Sequence, residues 1–179
     1  MRTTPPGETV HAHFKNWVRL LDRSLGLDLE AELEKEEVRG FLRSAFESNG
    51  AMPPPYFVPL LMERRRALAQ HTVDTLAATV RRQTGRQIPV PVPVRVNAPT
   101  PYEPTGEVRV GDEPVHGVDA PAIVVEAAEG FQCLLADRDR LIWPLCPDHG
   151  SGLHPSRTGP AAVWFCPAAD HAVGPVLTV

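Results

Sequence analysis

Three prolines alternate with valines near the middle of the chain, in the segment QIPVPVPVRVNAPTPYEPTG. Pro89, Pro91 and Pro93 have no backbone N–H, and residues two apart in an extended chain direct that group toward the same edge. The segment therefore cannot continue a helix or form a central strand. It predicts either an edge strand, whose proline side prevents pairing with a further strand, or a stiff polyproline II connector. Residues 88–104 are thus expected to form a boundary.

The part of the chain before this boundary, residues 1–87, has the periodicity of helices. Apolar residues recur at helical spacing from Val10 to Leu25, and Gly26 follows as a stop signal. Asp28 is a predicted cap for a second helix, whose apolar stripe changes face near Glu34 to Glu37, so we expect a bend or restart there. A third helix is predicted over much of Phe57 to Thr84.

The part after the boundary, residues 105–179, contains short apolar runs separated by Gly, Pro and Asp. GEVRVGDEPVHGV, APAIVVEAA and GFQCLLADRDRLIWPL are predicted to form strands, with a turn at Gly111-Asp112. Cys133 lies inside an apolar run and is expected to be a buried small hydrophobe. The predicted fold class is α+β, with a three-helix N-terminal half followed by a small antiparallel β half.

Composition excludes several classes of protein. The net charge of −4 and the pI near 6.0 provide no general attraction for nucleic acid or an anionic membrane. No apolar run approaches the roughly 18 residues that a membrane span requires, and the opening MRTTPPGETVHAHF lacks the apolar stretch of a secretory signal. With three cysteines, a disulfide framework is not expected. A cytoplasmic location is therefore predicted.

The segment CPDHGSGLHPSRTGPAAVWFCPAADH contains two of the three cysteines and three of the seven histidines. Its spacing is Cys146-x2-His149, sixteen intervening residues, then Cys166-x4-His171. Two short ligand pairs brought together by a hairpin supply the four soft or borderline ligands that tetrahedral zinc requires. The flanking runs RLIWPL and AAVWF are expected to pair as strands, and their tryptophans are expected to shield the metal from solvent.

These two motifs, Cys-Pro-Asp-His and Cys-Pro-Ala-Ala-Asp-His, resemble the paired knuckles of the zinc-ribbon superfamily over residues 140–179. The commonest ribbon has cysteine at all four positions and a two-residue gap in the second knuckle, so this chain departs from it in both respects. The resemblance implies a structural zinc ion held by Cys146, His149, Cys166 and His171. Because zinc ribbons bind proteins, bind nucleic acids or serve only as scaffolds, it does not select one task.

Several alternatives to this site remain open at the level of sequence. The histidines could be ordinary polar residues beside two buried cysteines, or Cys146 and Cys166 could form a disulfide. His154 could replace one of the two histidine ligands. A zinc-dependent enzyme is also possible if Asp148 or Asp170, which precede the histidines, acts as a base. The known hydrolytic and phosphate-binding motifs are missing from the sequence, however, so catalysis is the less favoured interpretation.

The partners of the chain are only weakly indicated. Residues 28–37 contain six acidic residues and one lysine, whereas residues 63–86 contain six arginines and two acidic residues. The basic segment predicts either a solvated or internally paired face, or a nucleic-acid surface formed by Arg64, Arg65, Arg66, Arg81 and Arg82. The favoured hypothesis is a non-catalytic binding or assembly protein, with a protein partner or a homo-oligomer.

Overall fold

The structure is a computed structural model and describes residues 6–88 and 92–177. Pro89 and Pro91 therefore lie outside the described residues, so part of the predicted proline segment has no structural account here. The described helices and strands are α1 (Pro6–Leu25), α2 (Leu29–Glu32), α3 (Glu36–Asn49), α4 (Pro54–Thr84), β1 (Val94–Asn97), β2 (Glu107–Val110), β3 (Glu113–Val115), α5 (Ala120–Asp139), β4 (His154–Thr158), β5 (Ala161–Cys166) and β6 (His171–Pro175). This composition confirms the α+β class.

The chain is divided into two compact units. The first contains residues up to Met62 together with Pro99–Gly106, and the second contains Glu63–Ala98 and the residues from Glu107 onward. The division falls within α4, so residues of this helix belong to both units. The division of the chain at residues 88–104 that the sequence suggests stays a prediction. No helix among residues 6–88 and 92–177 is both long and apolar enough to cross a membrane.

Helix α1, the pair α2 and α3, and helix α4 confirm the three helices predicted before residue 88 and the predicted break in the second of them. Helix α2 ends at Glu32 and α3 begins at Glu36, because the apolar stripe changes face between Leu29 and Val38, both of which are fully buried. The side chain of Asp28 makes no capping hydrogen bond. Instead, the carboxylate of Asp22 accepts hydrogen bonds from the backbone N–H groups of Leu29 (2.6 Å) and Glu30 (2.9 Å).

The second unit overturns the strands predicted between residues 120 and 139. This segment is the single helix α5, which begins after Asp119, whose Oδ1 accepts the backbone N–H of Ala122 at 2.9 Å. Its buried residues follow a helical spacing rather than an alternating one, at Ile123, Val124, Ala127, Ala128, Gly130, Phe131 and Leu135. The predicted burial of Cys133 is also wrong, because this residue lies on the exposed side of α5.

Helix α5 packs closely on β2 at Gly130. A Cβ atom at this position would lie 2.6 Å from the carbonyl oxygen of Val110 and 2.9 Å from its Cβ. Such distances are well below van der Waals contact, and the nearest atom belongs to backbone that cannot rotate away. A residue without a side chain is therefore required where the helix crosses the strand.

The substitution Gly130→Ala is expected to reduce the free energy of unfolding by about 2 kcal/mol, because the added methyl overpacks this contact. Gly40 supplies the matched control, since it is an exposed residue within α3 and a Cβ there meets nothing within 4 Å. Gly40→Ala is expected to stabilise the protein by about 0.5–1 kcal/mol through the higher helix propensity of alanine. Urea denaturation followed by circular dichroism measures both, and equal effects would contradict the close approach.

The second unit also contains two three-stranded antiparallel sheets, with strand orders β1-β2-β3 and β4-β5-β6. Among the described residues, strand β1 pairs only with β2 and is an edge strand, with a register from Val94 opposite Val110 to Asn97 opposite Glu107. The predicted turn at Gly111-Asp112 is confirmed, since it joins β2 to β3. In the other sheet, β5 is central, and it is the strand that ends at Cys166.

Candidate metal centre

The first predicted ligand pair lies in a narrow turn that is closed by its own backbone hydrogen bonds. Cys146 donates its N–H to the carbonyl oxygen of Ser151 at 2.8 Å, and its carbonyl oxygen accepts the N–H of Gly150 at 2.8 Å. Leu145 forms an isolated bridge with Gly152 on either side of this turn. Gly150 has φ +64°, a left-handed conformation that glycine adopts without strain. The turn thereby fixes the direction of the Cys146 side chain and brings it close to His149.

This arrangement corrects the strands expected beside the site. The predicted strand RLIWPL is not a strand, because its last residues belong to the narrow turn and Pro144 has no N–H to offer a neighbouring strand. Strand β5, which contains the predicted run AAVWF, pairs instead with β4 and β6. The hairpin between the two ligand pairs is therefore β4-β5, which begins at His154.

The two residues of the second ligand pair flank the turn of the β5-β6 hairpin. Cys166 is the last residue of β5, His171 is the first residue of β6, and the two face each other in the strand register. Asp170 completes the turn between them with φ +51°, a region that aspartate tolerates better than most residues. The backbone N–H groups of Ala168 and Ala169 in this turn help to lower the pKa of the Cys166 thiol. The turn therefore presents both ligand side chains and two hydrogen-bond donors on the same side.

The four side chains come together at one place. Cys146 Sγ lies 3.3 Å from His149 Nδ1 and 3.9 Å from His171 Nε2, while Cys166 Sγ lies 3.7 Å from His149 Nδ1. The four donor atoms all lie within 4.8 Å of one another, and the two imidazole rings have centroids 5.4 Å apart. Both cysteines are buried, His171 is half-buried and His149 is exposed. This group could hold a metal ion.

The dimensions of the group fit a small tetrahedral ion. Metal bonds of about 2.3 Å to sulfur and about 2.0 Å to nitrogen place donor atoms roughly 3.3–3.8 Å apart at the corners of a tetrahedron. The three sulfur–nitrogen distances of 3.3, 3.7 and 3.9 Å lie in or next to this range. No two of the four donor atoms are more than 4.8 Å apart, which is about one ångström beyond the upper end of the range. A small inward movement of side chains would complete the coordination. Thiolate and imidazole are also the donors that zinc prefers.

The electrostatics of Cys166 favour the thiolate that binds metal. The Ser151 hydroxyl, 3.3 Å from Cys166 Sγ, holds the pKa of this thiol below its usual value, against the opposing effect of burial. The N–H groups of Ala168 and Ala169 act in the same direction as Ser151. The spacing of the cysteines and histidines did not identify Ser151. In the sequence this residue lies between the two ligand pairs, within the turn that begins at Cys146.

No family model, curated protein or solved structure matches this chain. The likeness to zinc ribbons therefore depends on the spacing of the four residues and on the geometry of their two turns.

Two alternatives from the sequence have clear structural outcomes. Cys146 and Cys166 are free cysteines, so they form no disulfide. His154 is exposed at the start of β4 and does not belong to the metal-binding group. Asp148 and Asp170 are also exposed, and neither belongs to the group of four.

Three of the five arginines of α4 that could bind nucleic acid are engaged within the protein, whereas Arg82 is exposed and Arg81 is half-buried. Arg65 is 1% exposed, and its guanidinium donates to the carbonyl oxygens of Gly117, at 3.0 Å from Nε, and His116. Arg64 donates from Nε to the carbonyl oxygen of Val118 at 3.1 Å, and burial lowers its pKa. Arg66 is paired with Glu63, with N–O distances of 2.6 and 2.8 Å. These three side chains therefore act mainly inside the second unit.

Proposed function

We propose that Cys146, His149, Cys166 and His171 hold a structural zinc ion in a zinc-ribbon-like hairpin, and that the chain is a non-catalytic binding or assembly protein. The observation that supports this proposal is the convergence of two sulfur and two nitrogen donors within 4.8 Å. The donors come from two separate turns of the chain. An ion held by both turns would connect them, and so stabilise a small sheet that buries little area by itself.

The number and surroundings of the donors favour a structural over a catalytic role. A catalytic zinc ion keeps three protein ligands and one open position for water or substrate, whereas four protein donors complete a tetrahedron. Both cysteines are buried, and the bulky Trp143 and Trp164 precede them on the chain and are themselves buried. When bound, zinc would supply cross-linking of the turns, while the N–H groups of Ala168 and Ala169 and the Ser151 hydroxyl would stabilise the Cys166 thiolate.

The two other functions that the sequence suggested have less support. An enzyme would need a base beside an open metal position, but Asp148 and Asp170 are exposed and lie outside the donor group. Nucleic-acid binding through Arg64, Arg65, Arg66, Arg81 and Arg82 would have to break the internal bonds of the first three. A protein partner or a second copy of the chain is thus the preferred partner, and a cytoplasmic location stays a prediction.

Native mass spectrometry of the purified protein tests the metal. We expect one zinc ion per chain, and we expect Cys146→Ser, Cys166→Ser and His171→Ala each to reduce the zinc content by at least tenfold, since each removes one of four bonds. His154→Ala is the matched control, because this exposed histidine lies outside the group, and it should retain zinc. Protein that contains no stoichiometric metal after expression in zinc-supplemented medium would overturn the proposal.

A further inference from the structure

An open cleft with a mixed apolar and polar lining lies in the second unit, next to the turns of the candidate metal site. It is lined by the last turns of α4 on one side and by residues of the hairpin region on the other, and its volume is about 580 Å³. Leu145 and Val173 line it, and they lie one residue before Cys146 and two residues after His171. The turns that hold the donor group therefore also shape this cleft.

The cleft combines a rigid floor with exposed aliphatic side chains. Trp143 and Trp164 are 7% and 8% exposed and pack edge to face, with ring centroids 5.7 Å apart. Ile142, Leu145 and Val173 remain 69%, 52% and 38% exposed. Single exposed apolar residues are ordinary on protein surfaces, but a cluster around one concave site is typical of an interaction surface.

The polar residues that line the cleft are Thr75, Thr79, Gln83 and Thr84, together with one cation, Arg82. The indole N–H of Trp143 donates to Gln83 Oε1 at 2.8 Å, so it is already satisfied. Arg82 is the one charged residue among those that line the cleft. It is exposed, and its Nη2 lies 3.3 Å from Thr79 Oγ1, which leaves other N–H groups of the guanidinium facing solvent. An occupant that complements this surface is apolar and has a carboxylate near Arg82.

We propose that this cleft is the docking site for an extended segment of a partner protein that contains aliphatic residues and one acidic side chain opposite Arg82. The three exposed aliphatic residues project separately at the surface, so a polypeptide with successive side chains covers them better than a small enclosed ligand does. This inference rests on the proposed function, because metal held by the two turns keeps Leu145 and Val173 in place. Partner binding at the cleft is thereby linked to metal binding.

Selection of a random peptide display library against the full zinc-loaded chain tests the proposal. The expected consensus has two or more aliphatic residues and one Asp or Glu. The synthetic consensus peptide, labelled for fluorescence anisotropy, should bind at least tenfold more weakly to Ile142→Glu and to Arg82→Glu. A consensus peptide with lysine in place of its acid should recover binding to Arg82→Glu. Val96→Glu is the matched control, since Val96 is a 45% exposed aliphatic residue on β1 and does not line the cleft.

Three outcomes would overturn the inference. They are no enrichment of peptides, peptide binding that is insensitive to both cleft variants, and failure of the lysine-containing peptide to recover binding to Arg82→Glu. Analytical ultracentrifugation adds a fourth, because an oligomer that Ile142→Glu dissociates would show that a second copy occupies the cleft. Zinc content is measured on the same samples. Stoichiometric zinc without peptide binding contradicts this inference and leaves the proposed metal site standing. Charge-dependent peptide binding without zinc contradicts the proposed metal site and its link to the cleft, but not docking at the cleft.

Discussion

Removal of the proposed zinc ion by a chelator is expected to make residues 144–175 sensitive to protease, while the helices of the first unit stay largely protected. All four proposed ligands lie in that segment, and none lies in α1, α2 or α3. The unfolded chain has no preassembled ligand set, so the free energy of metal binding becomes free energy of folding for the hairpin, on the order of 10 kcal/mol for structural zinc. Limited proteolysis with mass spectrometry of the fragments measures the result.

Cys146→Ser and Cys166→Ser are expected to reproduce the same cleavage without chelator, because each removes a thiolate from the group. Cys133→Ser is the control for loss of a cysteine, since Cys133 is exposed on α5 and is not one of the four donor residues. It should be as resistant as the parent. If both serine variants at the donor positions also resist protease, Cys146 and Cys166 are packed residues of the core and the zinc-ribbon interpretation is wrong.

The second large effect is expected at Arg65, whose replacement by methionine should lower the free energy of unfolding by about 3 kcal/mol. Methionine preserves much of the volume of this buried side chain but donates no hydrogen bond. The carbonyl oxygens of His116 and Gly117 would lose the guanidinium that they accept from. Glu126 binds the N–H groups of the same two residues at 2.8 Å each, so the segment is held from both sides. Chemical denaturation measures the loss.

Arg66→Met is the matched control, because Arg66 is the adjacent residue on α4 but forms an exposed ion pair with Glu63. Exposed pairs contribute roughly 0–1 kcal/mol, so this variant should be close to the parent in stability. Similar effects of the two substitutions would contradict a structural role for Arg65. The backbone partners of Arg65 are 51 and 52 residues away along the chain. No local pattern could have revealed them.

The helices of the first unit were predictable because each one buries a single stripe. In α1, for example, Trp17, Val18 and Leu21 are buried at the spacing that a helix requires, while Arg19 and Leu20 between them are exposed. The break between α2 and α3 was also predictable, because the apolar residues of the predicted second helix move from one of its faces to another at that point. Where local pattern and tertiary burial agree in this way, sequence periodicity is sufficient.

Helix α5 was mistaken for strands because it is apolar on most of its circumference. Its Ile123 and Val124 favour strands by composition, and Gly130 resembles a turn signal when it is considered alone. The reason for that glycine is the approach of Val110 from β2, which is a tertiary contact. Asp119 followed by a proline two residues later was the local signal for a helix start that could have corrected the prediction.

The candidate site was predictable as a set of residues, because two short cysteine–histidine pairs are more specific than any single residue. Spacing could not identify the strands that position them. It also could not identify Ser151, which contacts a cysteine fifteen residues away. The cleft beside the site was beyond sequence reasoning as well, because Arg82 and Val173 approach it from distant parts of the chain.

The turn between β4 and β5 lies away from the donors, at Gly159 and Pro160, and a Cβ at Gly159 would meet nothing within 4 Å. Each of the two turns that hold the donor residues is closed by its own short-range hydrogen bonds. Neither therefore depends on the number of residues in the turn between β4 and β5. Evolution can therefore lengthen or shorten the β4-β5 hairpin without moving a donor atom. Relatives of this protein should preserve Cys-x2-His and Cys-x4-His strictly while the interval of sixteen residues drifts. A sequence pattern that requires sixteen residues between the two motifs would not find such relatives.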